Sequence, residues 1–274
     1  MIVDRAAAIL AEHGIATART DAEWIVAHVL GVSRSELVAQ SHEVDESAVW
    51  PLVERRAAHE PLAYVLGEWG FRRLTLRCDA RALVPRPETE TVVERCRELL
   101  RKSAGGTEPQ SPRRVLDVGT GTGAIALALA DEVESVHVVA TDASADAVAL
   151  ARENADLLGL HVELVHGCLE DGLPPGPFDL IVSNPPYVEA PELDALEPEV
   201  REWEPREALL YKGQTELLAG AAINALRRRA PLVLEVHEHR AERVRGLLES
   251  LGYNEVRITR DLAGRDRVVE GKRP

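Results

Sequence analysis

The chain has 274 residues, 45% of them hydrophobic and 28% charged, a composition that fits a globular protein able to bury a sizeable core. Its length favours two domains over one. The formal net charge of -14 argues against a large surface for nucleic-acid phosphates, because such a surface needs a basic face.

The cysteines and the N-terminal residues argue against other classes of protein. Cys78, Cys96 and Cys168 are widely spaced and form no C-x-x-C pair, so we expect free thiols and no bound metal. The first residues carry no basic segment followed by an apolar core, and no apolar run is long enough to span a membrane. We therefore expect a cytoplasmic protein that does not associate with membranes.

Short amphipathic helices are predicted for the first part of the chain. Apolar residues recur on one helical face, and capping boxes begin at Thr20 and at Ser33. Further helical segments are expected near residues 48–59 and after Pro61. We assign residues 1–67 to an N-terminal helical domain.

A near alternation of apolar and polar residues follows between residues 70 and 85 and predicts a β-hairpin. We place its polar turn at residues 77–80 and its second strand around Leu83. Residues 68–86 are interpreted as a linker between two domains, and residues 87–274 as the second domain.

Apolar strands alternate with helical segments from Arg113 onward, which predicts an α/β domain with a doubly wound, mainly parallel sheet. The last two strands, near residues 255–259 and 267–270, have no helix between them. We therefore expect them to pair as an antiparallel hairpin at one edge of the sheet.

A strand, a glycine-rich turn at residues 119–123 and the start of a helix follow one another. Glycine allows positive φ and the close approach of a ligand, and the N–H groups at a helix N-terminus attract polar or anionic groups. The spacing alone also fits a dinucleotide-binding loop. Asp117 lies just before the turn and suits the ammonium group of S-adenosylmethionine better than a pyrophosphate. Asp142 ends the next strand, where a carboxylate can accept both ribose hydroxyls, although both aspartates could instead only cap turns.

The sequence Asn184-Pro185-Pro186-Tyr187, called the acceptor motif below, follows a buried strand, and ligands of open α/β sheets bind at the carboxyl ends of strands. Proline has no N–H, so the Asn184 side-chain oxygen and the Pro185 carbonyl are free to accept both hydrogens of a planar -NH2 group. That arrangement directs the nitrogen lone pair at an electrophilic methyl group, and Tyr187 can stack on the planar group. We name Asn184, Pro185 and Tyr187 as catalytic residues. A simple turn after a strand is the alternative.

Five segments of the chain match the motifs of one known family. They are Pro61-Leu62-Ala63-Tyr64-Val65-Leu66-Gly67, Leu83-Val84-Pro85-Arg86-Pro87-Glu88-Thr89-Glu90, Asp117-Val118-Gly119-Thr120-Gly121-Thr122-Gly123, Asn184-Pro185-Pro186-Tyr187 and Glu204-Pro205-Arg206-Glu207-Ala208-Leu209. With them the chain resembles the glutamine N5-methyltransferases that modify bacterial peptide chain release factors. The segment at residues 85–90 discriminates most, because many amine methyltransferases share the acceptor motif but lack this segment.

The resemblance implies a seven-stranded methyltransferase sheet that uses S-adenosylmethionine, releases S-adenosylhomocysteine and methylates the glutamine of a Gly-Gly-Gln loop in a release factor. It also implies that the N-terminal domain helps to dock that protein. The implied cofactor-binding residues are Asp117, Gly119, Thr120, Gly121, Thr122, Gly123, Asp142, Cys168, Leu169 and Asn184. The implied substrate-binding residues are Leu83, Asn184, Pro185, Pro186 and Tyr187. We expect a monomer without stable nucleic-acid binding.

The chain departs from the family pattern at the expected adenine site. The family usually has an aspartate followed by an aromatic residue there, whereas this chain has Cys168 and Leu169. A thiol cannot accept an adenine N–H as a carboxylate does. Leu169 can still pack on the ring, and Glu170 or Asp171 can substitute for the missing carboxylate.

Four alternative functions differ from this one in the substrate or in the class of protein. A glutamine in a ribosomal protein would require the same chemistry, and an adenine exocyclic amine would fit the same slot after base flipping. The acidic net charge and residues 85–90 count against adenine. A non-catalytic cofactor-binding adaptor would tolerate Asn184→Ala, and an NAD-dependent oxidoreductase would bind NAD in place of S-adenosylmethionine.

Overall fold

The computed structural model describes residues 2–39, 44–103 and 111–274. Its N-terminal part consists of helices, as predicted, that enclose an apolar core including Leu10 and Val53. The helices are α1 (Ile2–Glu12), α2 (Ala18–Leu30), α3 (Arg34–Ala39), α4 (Glu46–Ala57) and α5 (Leu62–Leu66).

A β-hairpin follows, but its predicted turn is wrong. The strands are β1 (Glu68–Phe71) and β2 (Leu74–Arg77), which pair antiparallel, so the chain reverses at Arg72 and not at residues 77–80. Arg72 adopts a positive φ of 52, which usually favours glycine or asparagine in such a turn. Its backbone N–H donates to Glu90 at 2.9 Å, and its guanidinium donates to Glu132 at 2.5 Å. These distant partners stabilise a turn that the local pattern does not indicate, and Leu83 lies outside the hairpin.

Strands and helices alternate through the rest of the chain and form one seven-stranded sheet in the order β5-β4-β3-β6-β7-β9-β8. The elements are α6 (Thr89–Ser103), β3 (Arg113–Val118), α7 (Ala124–Glu132), β4 (Val136–Asp142), α8 (Ala145–Leu158), β5 (Val162–His166), β6 (Leu180–Ser183), α9 (Pro198–Trp203), α10 (Arg206–Leu209), α11 (Gln214–Ala225), β7 (Pro231–Glu235), α12 (Ala241–Ser250), β8 (Asn254–Arg260) and β9 (Asp266–Lys272).

The sheet confirms the predicted fold class. Strands β3 to β7 run parallel, and β9 pairs antiparallel with both β7 and β8, which is the expected edge hairpin. Helices α6 and α7 pack on one face, and α11 and α12 pack on the other. Because helices cover both faces, the central strands β6 and β7 are buried along their whole length, as is typical of parallel sheets.

Short helices connect the acceptor motif to α11. Two ion pairs link this connection to residues in the first part of the chain. Arg56 of α4 pairs with Glu199 of α9 at 2.6 Å. Arg86 pairs with Glu204, whose side chain is fully buried. Among the helices of the described ranges, none is both long and apolar enough to cross a membrane.

Candidate functional site

The strand order reverses between β3 and β6. The glycine loop (residues 119–123) and the acceptor motif leave the sheet side by side at this point. In the parallel register, Val118 at the end of β3 is opposite Ser183 at the end of β6. The Ser183 hydroxyl donates to the Val118 carbonyl oxygen at 2.7 Å. A crevice at such a reversal is the usual ligand site of doubly wound sheets.

The glycine loop, residues 119–123, takes a shape that requires its glycines. Gly119, Gly121 and Gly123 have φ values of 74, 56 and 86, all in the left-handed region. A Cβ atom on Gly123 would lie 2.9 Å from the Leu127 side chain, closer than packed atoms allow. The N–H groups of Gly119 and Thr120 donate to the Thr141 carbonyl at 2.8 and 3.0 Å, which ties the loop to the end of β4.

Asp117 is fully buried near the end of β3. Its Oδ2 atom accepts a hydrogen bond from the Thr120 hydroxyl at 2.7 Å, whereas Oδ1 has no hydrogen-bond partner within the described part of the chain. Burial raises the pKa of Asp117 to about 7, the charge of Asp142 adds to the rise, and the Thr120 hydrogen bond opposes it. A buried carboxylate oxygen without a donor fits the ammonium group of S-adenosylmethionine.

Asp142, predicted to bind the ribose, accepts two backbone N–H groups and so holds the glycine loop. Its Oδ2 atom accepts the N–H of Gly121 at 2.9 Å, and its Oδ1 atom accepts the N–H of Ser144 at 2.9 Å. Asp142 therefore does cap these turns, as the alternative interpretation of the sequence expected. Each carboxylate oxygen has a second lone pair, so both remain able to accept a ribose hydroxyl.

The residues predicted to contact adenine lie at the end of β5. The Cys168 thiol donates to Asp171 Oδ2 at 2.9 Å, and this hydrogen bond raises the pKa of the thiol. Leu169 is half-buried and packs on the apolar cluster of α11 and α12, so part of its surface is already used by the core. Thr122 is buried, and its carbonyl accepts the side-chain amide of Asn154 at 2.9 Å, which makes it a structural member of the loop.

The acceptor motif lies where it was predicted, directly after β6. Pro185 is buried, and Asn184, Pro186 and Tyr187 are half-buried. Tyr187 and Leu83 pack on the same apolar cluster, so the structure brings together two residues that lie far apart in the chain. The centroid of the Tyr187 ring lies 6.0 Å from that of the His237 ring, and burial raises the pKa of the Tyr187 phenol.

Two polar residues lie beside Asn184 for which the sequence patterns predicted no role. The Asn184 side-chain nitrogen donates to the Thr89 hydroxyl at 3.4 Å, and Thr89 is itself buried at the start of α6. Glu235 ends β7 and is 2% exposed, and its Oε2 atom has no hydrogen-bond partner among the residues that the structure describes. A single carboxylate at the end of an otherwise apolar strand is a signal that sequence reasoning can use.

Asn154 joins the hairpin to the glycine loop, and the sequence patterns predicted no role for it either. Its side-chain oxygen accepts the N–H of Arg77 at 2.7 Å, and its side-chain nitrogen donates to the carbonyls of Arg77 and Thr122. The residue is completely buried on α8. An asparagine within a helix has no local feature that reveals such contacts.

Comparisons with known proteins agree with this geometry. The family model "PrmC N-terminal domain" matches residues 2–67, and the model "Methyltransferase small domain" matches residues 101–202. A solved 16S rRNA N2 G1207 methyltransferase of T. thermophilus, in complex with AdoMet and guanosine, shares the fold with a TM-score of 0.52 and 19% identity, covering 76% of this chain and 50% of that one. The match to the methyltransferase domain model, together with this fold, identifies the class of protein as an S-adenosylmethionine-dependent methyltransferase.

Full-length relatives identify the family within that class. The release factor glutamine methyltransferase of Deinococcus radiodurans is 41% identical over 99% of this chain and 97% of its own length. The enzyme of the same name from Geobacter sulfurreducens is 37% identical over 99% of this chain and 95% of its own length. The chain belongs to the release factor glutamine methyltransferase family, which confirms the resemblance found in the sequence.

Proposed function

We propose that the protein transfers a methyl group from S-adenosylmethionine to the side-chain amide nitrogen, N5, of the glutamine in the Gly-Gly-Gln loop of a peptide chain release factor. One observation supports this most directly. The acceptor motif and the buried, unsatisfied carboxylate of Asp117 lie at the ends of adjacent strands, where a methyl donor and an amide can meet. The family membership supplies the choice of glutamine and of a release factor.

Asn184, Pro185 and Tyr187 are the proposed catalytic residues. The Asn184 nitrogen is engaged by Thr89, which leaves the side-chain oxygen to accept an N–H of the substrate amide. The Pro185 carbonyl accepts the other N–H, and no proline N–H competes for it. Holding both hydrogens directs the nitrogen lone pair, and Tyr187 together with Leu83 forms the apolar wall of the slot.

The cofactor-binding residues follow from the same site. S-adenosylmethionine supplies the electrophilic methyl group when it is bound. Asp117 would accept its ammonium group, and Asp142 would accept the ribose hydroxyls with the lone pairs that Gly121 and Ser144 leave free. The loop at residues 119–123 would line the cofactor with backbone, and Cys168 and Leu169 would border the adenine.

We assign substrate docking to the N-terminal domain, residues 1–67, with residues 68–86 as the linker and residues 87–274 as the catalytic domain. The Arg56–Glu199 ion pair supports this role, because it holds the helical domain against the segment that follows the acceptor motif. A cytoplasmic monomer without stable nucleic-acid binding fits the net charge of -14 and a protein substrate.

Labelled S-adenosylmethionine tests the proposal directly. The protein is incubated separately with a Gly-Gly-Gln release factor, the same factor with its glutamine replaced by alanine, ribosomal proteins and duplex DNA. We expect label only in the unmodified release factor, and mass mapping should place the methyl group on its glutamine. Label confined to DNA or to a ribosomal protein would overturn the proposal, and binding of the cofactor without any transfer would favour the adaptor.

A further inference from the structure

The side chain of Asn154 joins the glycine loop to the linker, residues 68–86. Its Oδ1 atom accepts the N–H of Arg77 at 2.7 Å, and its Nδ2 atom donates to the carbonyls of Arg77 at 3.2 Å and Thr122 at 2.9 Å. A side-chain amide supplies both the acceptor and the two donors that this arrangement needs, so the partners fix the orientation of the amide. Asn154 is completely buried, so water does not compete for these hydrogen bonds.

The linker lies directly beside the glycine loop. A Cβ atom on Gly121 would lie 3.7 Å from the Ala82 Cβ atom, which is an ordinary van der Waals contact. Ala82 is 2% exposed and packs with Ala147 and Leu150 of α8, the helix that carries Asn154. The linker is therefore packed against both α8 and the loop that would line the cofactor.

An ion pair adds to the contact between the linker and α8. Arg81 donates to the two carboxylate oxygens of Glu153, the residue before Asn154, at 2.7 and 3.0 Å. Both side chains are partly exposed, and such pairs contribute little to stability. The buried amide of Asn154 is therefore the stronger constraint on the linker.

The linker also provides a wall of the acceptor slot. Leu83, the residue after Ala82, packs on the apolar cluster that contains Tyr187. Two consecutive residues of the linker thus face two parts of the site, Ala82 the glycine loop and Leu83 the acceptor motif. A displacement of the linker relative to α8 would alter the cofactor site and the slot together.

We propose that Asn154 is a positioning residue that fixes the linker against the glycine loop and thereby sets both the cofactor site and the Leu83 wall of the acceptor slot. It acts through the Thr122 carbonyl and through the backbone of the linker, so it is not a catalytic residue. The effect on the slot rests on the proposed function, whereas the effect on the glycine loop does not.

Cys78 reports on the position of the linker. It follows Arg77 directly and is buried, and Cys96 is buried in the core of the catalytic domain. Loosening of the linker alone would expose Cys78, whereas unfolding of the catalytic domain would expose both thiols. Labelling with N-ethylmaleimide, mapped by mass spectrometry, distinguishes the two events.

Asn154→Ala tests the inference on the full-length protein. The variant leaves the Arg77 N–H and the Thr122 carbonyl without their partner, so the Kd of S-adenosylhomocysteine, measured by calorimetry, should rise about tenfold. With a Gly-Gly-Gln release factor and saturating cofactor, kcat should also fall about tenfold. Cys78 should be labelled faster than in the parent protein, and Cys96 should remain unlabelled.

Ala82→Gly is a milder second variant. It keeps the hydrogen bonds of Asn154 and removes one methyl group from the contact between the linker, α8 and the glycine loop. The same Kd should rise and the same kcat should fall, each by about threefold. This variant carries the test if Asn154→Ala does not fold.

Tyr253→Phe is the matched control. Tyr253 is 4% exposed, and its hydroxyl donates to the Ala219 carbonyl at 2.8 Å in the apolar cluster of α11 and α12, away from the linker. The variant also loses a buried hydrogen bond, so it should melt at a lower temperature. It should keep the Kd, the kcat and the slow Cys78 labelling of the parent protein.

The outcomes separate the inference from the proposed function. If a folded Asn154→Ala keeps the Kd, the kcat or the Cys78 labelling rate of an active parent protein, the positioning role is wrong. The same holds if Ala82→Gly matches the parent protein in both Kd and kcat. If the parent protein methylates no release factor while Asn154→Ala weakens S-adenosylhomocysteine binding and exposes Cys78, the proposed function fails and the positioning of the glycine loop stands.

Discussion

Arg56 of α4 ion-pairs with Asp21 of α2 at 2.7 Å, and the same guanidinium contacts Glu199 of α9 at 2.6 Å. The Arg56 and Asp21 side chains are each only 6% exposed, whereas Glu199 is 37% exposed. One buried arginine thus joins two helices of the N-terminal domain to a helix of the catalytic domain. These ion pairs link the proposed docking domain to the segment that follows the acceptor motif.

Replacing Arg56 should destabilise the protein strongly. Arg56→Met leaves the buried Asp21 carboxylate without its partner, and we expect a loss of about 3–5 kcal/mol in the free energy of unfolding, measured in urea. Glu199→Gln is the control, because its partly exposed carboxylate contributes less, about 1 kcal/mol. Equal stability of Arg56→Met and the parent protein would contradict the structural role of the pair.

Asn184→Ala should abolish most of the methyl transfer while leaving the cofactor site intact. The variant loses an acceptor that orients the substrate amide, so we expect kcat to fall about a hundredfold. The affinity for S-adenosylmethionine, measured by calorimetry, should change little. Asn224→Ala, at an exposed position of α11, is the matched control and should retain full activity. A variant Asn184→Ala with normal kcat would remove the acceptor motif from the mechanism.

Cofactor binding should weaken in acid because of Asp117. Its pKa of about 7 means that the carboxyl is increasingly neutral below pH 7, where it attracts an ammonium group less. The dissociation constant should therefore rise as the pH falls below 7, by at most about tenfold per pH unit. Calorimetry at pH 6 and pH 8 measures this. Asp117→Asn should bind about ten- to a hundredfold more weakly at pH 8 and show no such dependence.

The ionised Asp117 carboxylate should also lower the free energy of unfolding when no cofactor is bound. The pKa of Asp117 in the folded protein lies above its ordinary value of 3.8, so the unfolded state ionises first. The stability associated with the neutral carboxyl is complete below about pH 4 and is lost progressively up to about pH 7. Asp117→Asn should accordingly melt at a higher temperature than the parent protein at pH 8. A lower melting temperature would show that the charged carboxylate is stabilised in the fold.

Local patterns in the sequence were sufficient for the sheet and for the two loops at its centre. Hydrophobic periodicity indicated the strands, and glycines or prolines directly after β3 and β6 indicated the two loops that leave the sheet where its strand order reverses. Local patterns did not predict the features that depend on contacts between residues far apart in the sequence. The hairpin turns at Arg72 because Glu90 and Glu132 hold it. The hydrogen-bond partner of the Asn184 side chain, Thr89, comes from α6, which no spacing within the acceptor motif can show.

Cys168 offers a test of where the adenine lies. Cys78 and Cys96 are buried, which raises the pKa of both thiols, Cys78 to about 12, and makes them unreactive. Cys168 is partly exposed, so N-ethylmaleimide should label it alone in the native protein. Because the Asp171 hydrogen bond raises the pKa of this thiol, Asp171→Asn should increase the labelling rate.

Bound cofactor should protect this thiol if adenine lies beside residues 168 and 169. Saturating S-adenosylhomocysteine should then slow the labelling of Cys168 about tenfold, and mass spectrometry of the modified peptide measures the rate. Cys168→Ser is the control and should take up no label. An unchanged labelling rate under saturation would place the adenine elsewhere, and it would leave Leu169 as a residue of the core alone.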